Sequence, residues 1–218
     1  DGIELTVIHN LLQDAADPGR VHIGMADNGY LLSLEGGARF GDDGPEVTST
    51  MRTLQAHPTD PKRIVGAGNQ GNGQWVSDRV WRSDDGGESW RKSGEIAPGV
   101  TVNSACFDPG DPKTLYATAS GEVGPGKGGV YVSKDDGSTW NWLGTGLPAG
   151  RAIFHRELWQ IGREIACPVP GRPVALGIDA GEVWGWDGTA WVPRTKADGG
   201  NDLFADPWGR LYLADGSG

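Results

Sequence analysis

The chain has no uninterrupted apolar run approaching the roughly 18 residues that a membrane-crossing helix needs, so a helical membrane protein is excluded. Cysteine is scarce: Cys106 and Cys167 are too few for a disulfide scaffold or a cysteine-built zinc site. Both follow alanine near the end of an apolar run and read as buried thiols, with a disulfide between them as the alternative. His9, His22, His57 and His155 show no ligand-like spacing, so no metal and no cofactor are expected. Positive charge is also in deficit. Lys and Arg number 19 against 29 Asp and Glu, a formal net charge of −10. A nucleic-acid partner, which needs a basic face, is excluded on that balance. The opening residues, Asp1-Gly2-Ile3-Glu4, lack the basic and apolar regions of a leader, so any signal peptide is expected to be gone already.

What the chain holds in excess is 37 glycines, 14 prolines and 10 tryptophans among 218 residues. Dense turn residues with large aromatic side chains point to many short strands packed through bulky faces. An internal repeat gives this form. Ser83-Asp84-Asp85-Gly86-Gly87-Glu88-Ser89-Trp90 and Ser133-Lys134-Asp135-Asp136-Gly137-Ser138-Thr139-Trp140 are near copies. Ser33-Leu34-Glu35-Gly36-Gly37-Ala38-Arg39-Phe40 is a weaker copy upstream. Gly185-Trp186-Asp187-Gly188-Thr189-Ala190-Trp191 is a shorter one downstream. A second element keeps the same period of about 50 residues. Asp17-Pro18, Asp60-Pro61, Asp111-Pro112, Pro170-Gly171 and Asp206-Pro207 each separate two apolar runs. Proline cannot continue a strand ladder, so each marks a turn. The unit is four strands, and four-stranded units repeated around an axis make a β-propeller.

The Ser-x-Asp-x-Gly-x-x-Trp pattern resembles the Asp-box, or BNR, repeat of sialidases, sortilin-type receptors, photosystem assembly factors and xyloglucanases. The resemblance implies a hairpin between the third and fourth strands of each blade. Asp85, Asp135 and Asp187 would hold the turn, and Trp90, Trp140 and Trp191 would pack between blades. The fold expected is therefore an all-β propeller of four-stranded Asp-box blades. Blades are expected at about 3–44, 45–97, 98–147 and 160–197, with an incomplete one at 198–218. About four and a half blades are present, and propellers run from about four to eight. The segment is thus expected to belong to a propeller of about six to eight blades. The remaining blades would come from a longer chain or a partner subunit.

Chemistry is expected on the loops between second and third strands and on those joining blades, where the repeat varies most. Gly2-Ile3-Glu4-Leu5-Thr6-Val7, followed by Ile23-Gly24-Met25-Ala26-Asp27-Asn28-Gly29-Tyr30, is similar to the opening of the second propeller of the xyloglucanase family, glycoside hydrolase family 74. The resemblance implies that Asp27 is the general acid of an inverting hydrolase. It also implies that the base lies on another propeller. The sequence departs at Ala26 and at Asn28-Gly29-Tyr30, where an Asp-Asn-Gly turn has its own conformational logic. Asp42, Asp43, Asp78, Glu122 and Glu182 are further carboxylates of the same face, without a motif. Trp75 and Trp159 are candidate sugar platforms, with Arg79 and Tyr30 as further substrate contacts. Two functions follow: hydrolysis of a β-glucan or xyloglucan-type polysaccharide, or a non-catalytic propeller that binds protein or glycan. Either would be extracellular or periplasmic. No arginine cluster of the sialidase kind is present. The run Gly124-Pro125-Gly126-Lys127-Gly128-Gly129 leads into a strand rather than a helix, which excludes a phosphate loop.

Overall fold

A computed structural model describes residues 7–14, 16–26, 29–41, 48–70, 79–153, 164–178, 181–196 and 202–214. Among these residues there is no helix, and the strands are short, as the turn density requires. The first unit holds β1 (Ile8–Gln13), β2 (Val21–Met25) and β3 (Gly29–Ser33), closed by a single bridge between Leu32 and Gly41. The second holds β4 (Thr48–His57), β5 (Asp60–Gln70), β6 (Val80–Ser83) and β7 (Arg91–Lys92). One parallel pair, Gly29 with Thr50, stitches the two together. The third holds β8 (Thr101–Asp108), β9 (Asp111–Glu122), β10 (Gly129–Ser133) and β11 (Asn141–Trp142), with β12 (Ala152–Ile153) on the far end of β9. The fourth holds β13 (Ile165–Val169), β14 (Arg172–Ile178), β15 (Glu182–Trp186) and β16 (Trp191–Lys196). Last come β17 (Asp202–Ala205) and β18 (Leu211–Ala214), paired only with each other. Within each unit successive strands are antiparallel neighbours.

Apolar faces join one unit to the next. Tyr30 and Leu32 of the first meet Met51, Leu54, Ile64 and Trp81 of the second. Val65 and Val80 meet Phe107, Leu115 and Tyr131 of the third. Cys106, Tyr116 and Val130 meet Ile165, Ala175 and Trp191 of the fourth. Leu203 seats the last hairpin on Ala166, Leu176 and Val183. Cys106 and Cys167 are both buried free thiols. Trp81, Trp90, Trp140, Trp142, Trp184, Trp186 and Trp191 all contribute to these seams, which is why a chain so rich in glycine still closes a core.

The repeated acidic hairpins follow from local hydrogen bonding. Ser33, Ser83 and Ser133 sit at the same position in three units. Each hydroxyl oxygen accepts the N–H groups two and four residues on, including Gly37, Gly87 and Gly137 at 2.8–2.9 Å. Asp85 and Asp135 take the N–H groups of Ser89 and Thr139 at 2.9 and 2.8 Å. The fourth turn is one residue shorter, and Asp187 accepts Thr189 and Ala190 directly. Hydrogen bonds to the charged form depress the carboxylates of Asp135 and Asp187 to about 2. In three units the hairpin is also tied to the first turn: Gly36, Gly86 and Asp136 donate to the carbonyls of Gly19, Lys62 and Lys113. The Asp-Pro turns and the acidic hairpins therefore share one face of the molecule.

Beneath the second hairpin, Tyr30 is 1% exposed and its ring meets Trp90 edge-on at 4.9 Å. Its hydroxyl lies 2.7 Å from His22 Nδ1. Burial, then Arg20, lowers the His22 pKa to about 4, with Asp14 acting weakly the other way. An unfolded His titrates near 6.5, so between those values the unfolded chain holds more protons. The resulting stability is present above pH 6.5 and lost as pH falls through about 4. A shift of this size corresponds to about 3 kcal/mol. The midpoint of urea unfolding is expected to fall between pH 7 and pH 4, and His22→Asn is expected to flatten that dependence. An unchanged slope in the variant would remove His22 as its source.

Candidate functional site

The face opposite the turns collects the ends of the inner strands. β4 runs from this face to the turn at His57, and β8 and β13 run the same way. The starts of β8 and β13 and the end of β9 therefore lie together here. Glu164, just ahead of β13, is 1% exposed and accepts the Thr118 hydroxyl at 3.0 Å. Arg52 of β4 faces it electrostatically. Burial lowers the guanidinium's proton affinity, and Glu164 opposes that shift. Asn103 and Ser120 bond side chain to side chain at 2.8 Å beside them. Gln55 donates across to the Ile165 carbonyl at 2.8 Å, tying the second unit to the fourth. A buried carboxylate among amide and hydroxyl groups is suited to join the inner strands by accepting their hydroxyl hydrogen bonds. It was not singled out from the sequence, because Glu164 and Arg52 belong to no motif and meet only through the fold.

The sequence candidates divide. Asp27, Trp75 and Trp159 lie outside the described residues, as do Asp42, Asp43 and Asp78. Asp27 belongs to the connection between β2 and β3, whose last pair is Met25 with Gly29. Arg79 is half-buried and donates to the Ser93 carbonyl at 3.3 Å. Tyr30 faces the second unit from the core, because its place opposite Gly24 in β3 turns the ring inward rather than to the loop face. Glu122 pairs with Lys127 at 3.3 Å, and Glu182 accepts the Trp184 indole N–H at 3.0 Å. Trp90, Trp140 and Trp191 all sit at seams between units.

A cavity of about 470 Å³ lies on the other face, among the first turns. Leu12, His57, Phe107, Pro168, Phe204 and Pro207 contribute to its wall. It is mostly apolar, and burial, then Arg63, lowers the His57 pKa. Among the described residues, no group of three or more His, Cys, Asp or Glu side chains is placed to hold a metal ion. No described helix is long and apolar enough to cross a membrane.

No protein-family model matches the chain, and no curated protein does. Solved structures do. An ancestral GH74 enzyme superposes over 97% of this chain at a TM-score of 0.66 and 16% identity. The GH74 xyloglucanase from Xanthomonas campestris does so over 98% at 0.65 and 19% identity. YCF48 from Cyanidioschyzon merolae matches over 91% at 0.55 and 15% identity. The chain spans 29% of the length of each of the first two and 60% of the third. At such identities the likeness establishes the fold alone. The chain is an all-β protein with the propeller fold, in successive antiparallel sheets around converging inner strands.

Proposed function

We propose that the chain is part of an Asp-box propeller of an extracellular glycoside hydrolase that cleaves β-glucan or xyloglucan-type polysaccharide. The observation that carries the reading is the likeness of nearly the whole chain to two GH74 enzymes, one of them a xyloglucanase. Its blades would run over about 3–44, 45–97, 98–147 and 160–197, with an incomplete one at 198–218, and the rest of a six- to eight-bladed ring would come from further polypeptide or a partner subunit. Asp27 would be the general acid. An inverting mechanism places a base carboxylate about 6.5–9.5 Å away, across the scissile bond. Trp75 and Trp159 would stack on pyranose faces, and Arg79 would bond hydroxyls. The buried Glu164, bonded to Thr118, would hold the inner strands beneath that cleft.

The second reading is a propeller that binds without turnover. One similar structure, YCF48, is bound to a D1 peptide and matches 96% of this chain at a TM-score of 0.55. Release of reducing ends from xyloglucan and mixed-linkage β-glucan separates the two. Steady release above a heat-treated control is expected. Saturable glycan or peptide binding with no release would favour the second reading.

A further inference from the structure

The inner strands carry an irregularity at the same place in three successive units. The pairing of β1 with β2 slips between Ile8 and Asn10, that of β4 with β5 between Met51 and Thr53, and that of β8 with β9 between Val102 and Ser104. Each slip sets one residue outside the ladder: His9, Arg52 and Asn103. A bulge of this kind re-aims the side chain it carries. The fourth unit has Glu164 at the corresponding place. Val169 closes its first turn with Arg172 as His57 does with Asp60 and Asp108 with Asp111, and Glu164, Arg52 and Asn103 precede those closing residues by the same interval. The position thus holds His, Arg, Asn and Glu, while two residues further on stand Leu11, Leu54, Ala105 and Ala166. A point that varies in hydrogen-bonding chemistry on a repeated scaffold is where function is placed.

His9, Asn103 and Glu164 all have partners in the fold. Glu164 accepts the Thr118 hydroxyl, and Asn103 exchanges side-chain bonds with Ser120 at 2.8 and 3.0 Å. Arg52 is half-buried, yet among the described residues it makes no hydrogen bond and no ion pair. Its neighbours on β4 show which way it looks. Met51 and Leu54 are buried against the first unit, and Thr53 reaches the Asn103 carbonyl of the third at 3.5 Å. Gln55 bonds across to the fourth unit, and Arg52 faces the same way, toward Glu164. A partly desolvated guanidinium whose N–H donors are all unbonded is costly to keep.

We propose that Arg52 is a ligand-binding residue where the inner strands converge, donating to paired hydroxyl oxygens of a neutral sugar ring held on the loop face. The guanidinium fork is planar and suits two oxygens side by side. Glu164 faces it from the fourth unit and balances its charge, so a carboxylate or phosphate ligand would meet a like charge. The chain's net charge of −10 works against an anion as well. An uncharged acceptor gains charge-assisted hydrogen bonds without that repulsion. Glu164 itself is 1% exposed, so it serves as the counter-charge and not as a contact. The inference rests on the glycan part of the proposed function, not on bond cleavage.

Calorimetric titration of the purified chain with cellotetraose and with a xyloglucan heptasaccharide reads the contact. Saturable binding is expected, and Arg52→Met is expected to weaken it about tenfold, the scale of one lost hydrogen bond from a charged donor. Arg52→Lys should recover part of the affinity, since the ammonium keeps charge and donors but loses the fork. Because Arg52→Met strips Glu164 of its counter-charge, the paired variant is Arg52→Met with Glu164→Gln, which removes both charges and keeps an acceptor for Thr118. It should hold the parent's urea midpoint and still bind about tenfold more weakly. Unchanged affinity in either folded variant overturns the assignment, as does a loss that only follows a lowered midpoint. Arg52-dependent binding of tetragalacturonate in preference to cellotetraose overturns the neutral ligand, and no saturable binding of either neutral oligosaccharide overturns the site. Release of reducing ends from xyloglucan is measured separately. Release by the parent with unchanged affinity in the variants removes Arg52 and leaves the proposed reaction standing. Arg52-dependent binding without release does the reverse.

Discussion

Gly87→Ala is expected to destabilise the protein by about 4 kcal/mol or to prevent its folding, read as a loss of the cooperative urea transition. Gly87 has φ +88°, a region that L residues enter at a cost of about 1–2 kcal/mol. The larger penalty is steric. A Cβ at this position would lie 1.8 Å from the Tyr30 hydroxyl and 3.1 Å from His22 Nδ1. Tyr30 cannot swing aside, because its hydroxyl is bonded to His22 and its ring is wedged against Trp90 in the core. Overpacking of a buried aromatic costs about 1–3 kcal/mol beyond the backbone term. Gly86→Ala, one residue earlier, is the control. It also has positive φ, at +75°, but meets only the movable end of Arg20, at 3.0 Å. Its cost is expected to be about 1–2 kcal/mol. Equal effects from the two substitutions would show that turn conformation matters and the Tyr30 contact does not.

On the proposed function, Asp27→Asn is expected to lower kcat on xyloglucan by about 10²- to 10⁴-fold, the range supplied by a positioned general acid. An amide keeps the shape of the side chain and cannot give up the proton that the leaving oxygen needs. KM should change little, because Asp27 is assigned to the transition state rather than to ground-state binding. An aryl glucoside with a good leaving group should lose much less, since its departure needs no protonation. Equal losses on both substrates would assign Asp27 a structural part in the connection between β2 and β3. Unchanged hydrolysis of the polysaccharide would remove it from the mechanism altogether.

Local chemistry was readable from the sequence where it is carried by neighbours in the chain. The Asp-Pro turns and the Ser-x-Asp-x-Gly spacing act within about five residues, so the four-strand period and the glycines of positive φ follow from pattern alone. In three of the turns a serine hydroxyl is the nearer acceptor, a role that the acidic pattern does not single out. Inter-sheet chemistry was not readable. Arg20 meets its hairpin 66 residues away, Arg63 reaches Asp136 across 73, and Gln55 meets Ile165 across 110. No local rule links such positions. Tyr30 shows the same limit: its motif neighbours suggested the loop face, while the pleat of β3 turns it into the seam. Glu164 and Arg52 carry no signature, and only the convergence of inner strands makes them partners.

Single-displacement hydrolysis of a β-linked glucan leaves its mark on the anomeric form of the first product. Proton NMR during the opening minutes of xyloglucan digestion resolves new α and β reducing ends before they equilibrate. Inversion at a β-linkage yields α ends first, followed by slow mutarotation. β ends appearing first, or no new ends above the heat-treated control, would contradict it.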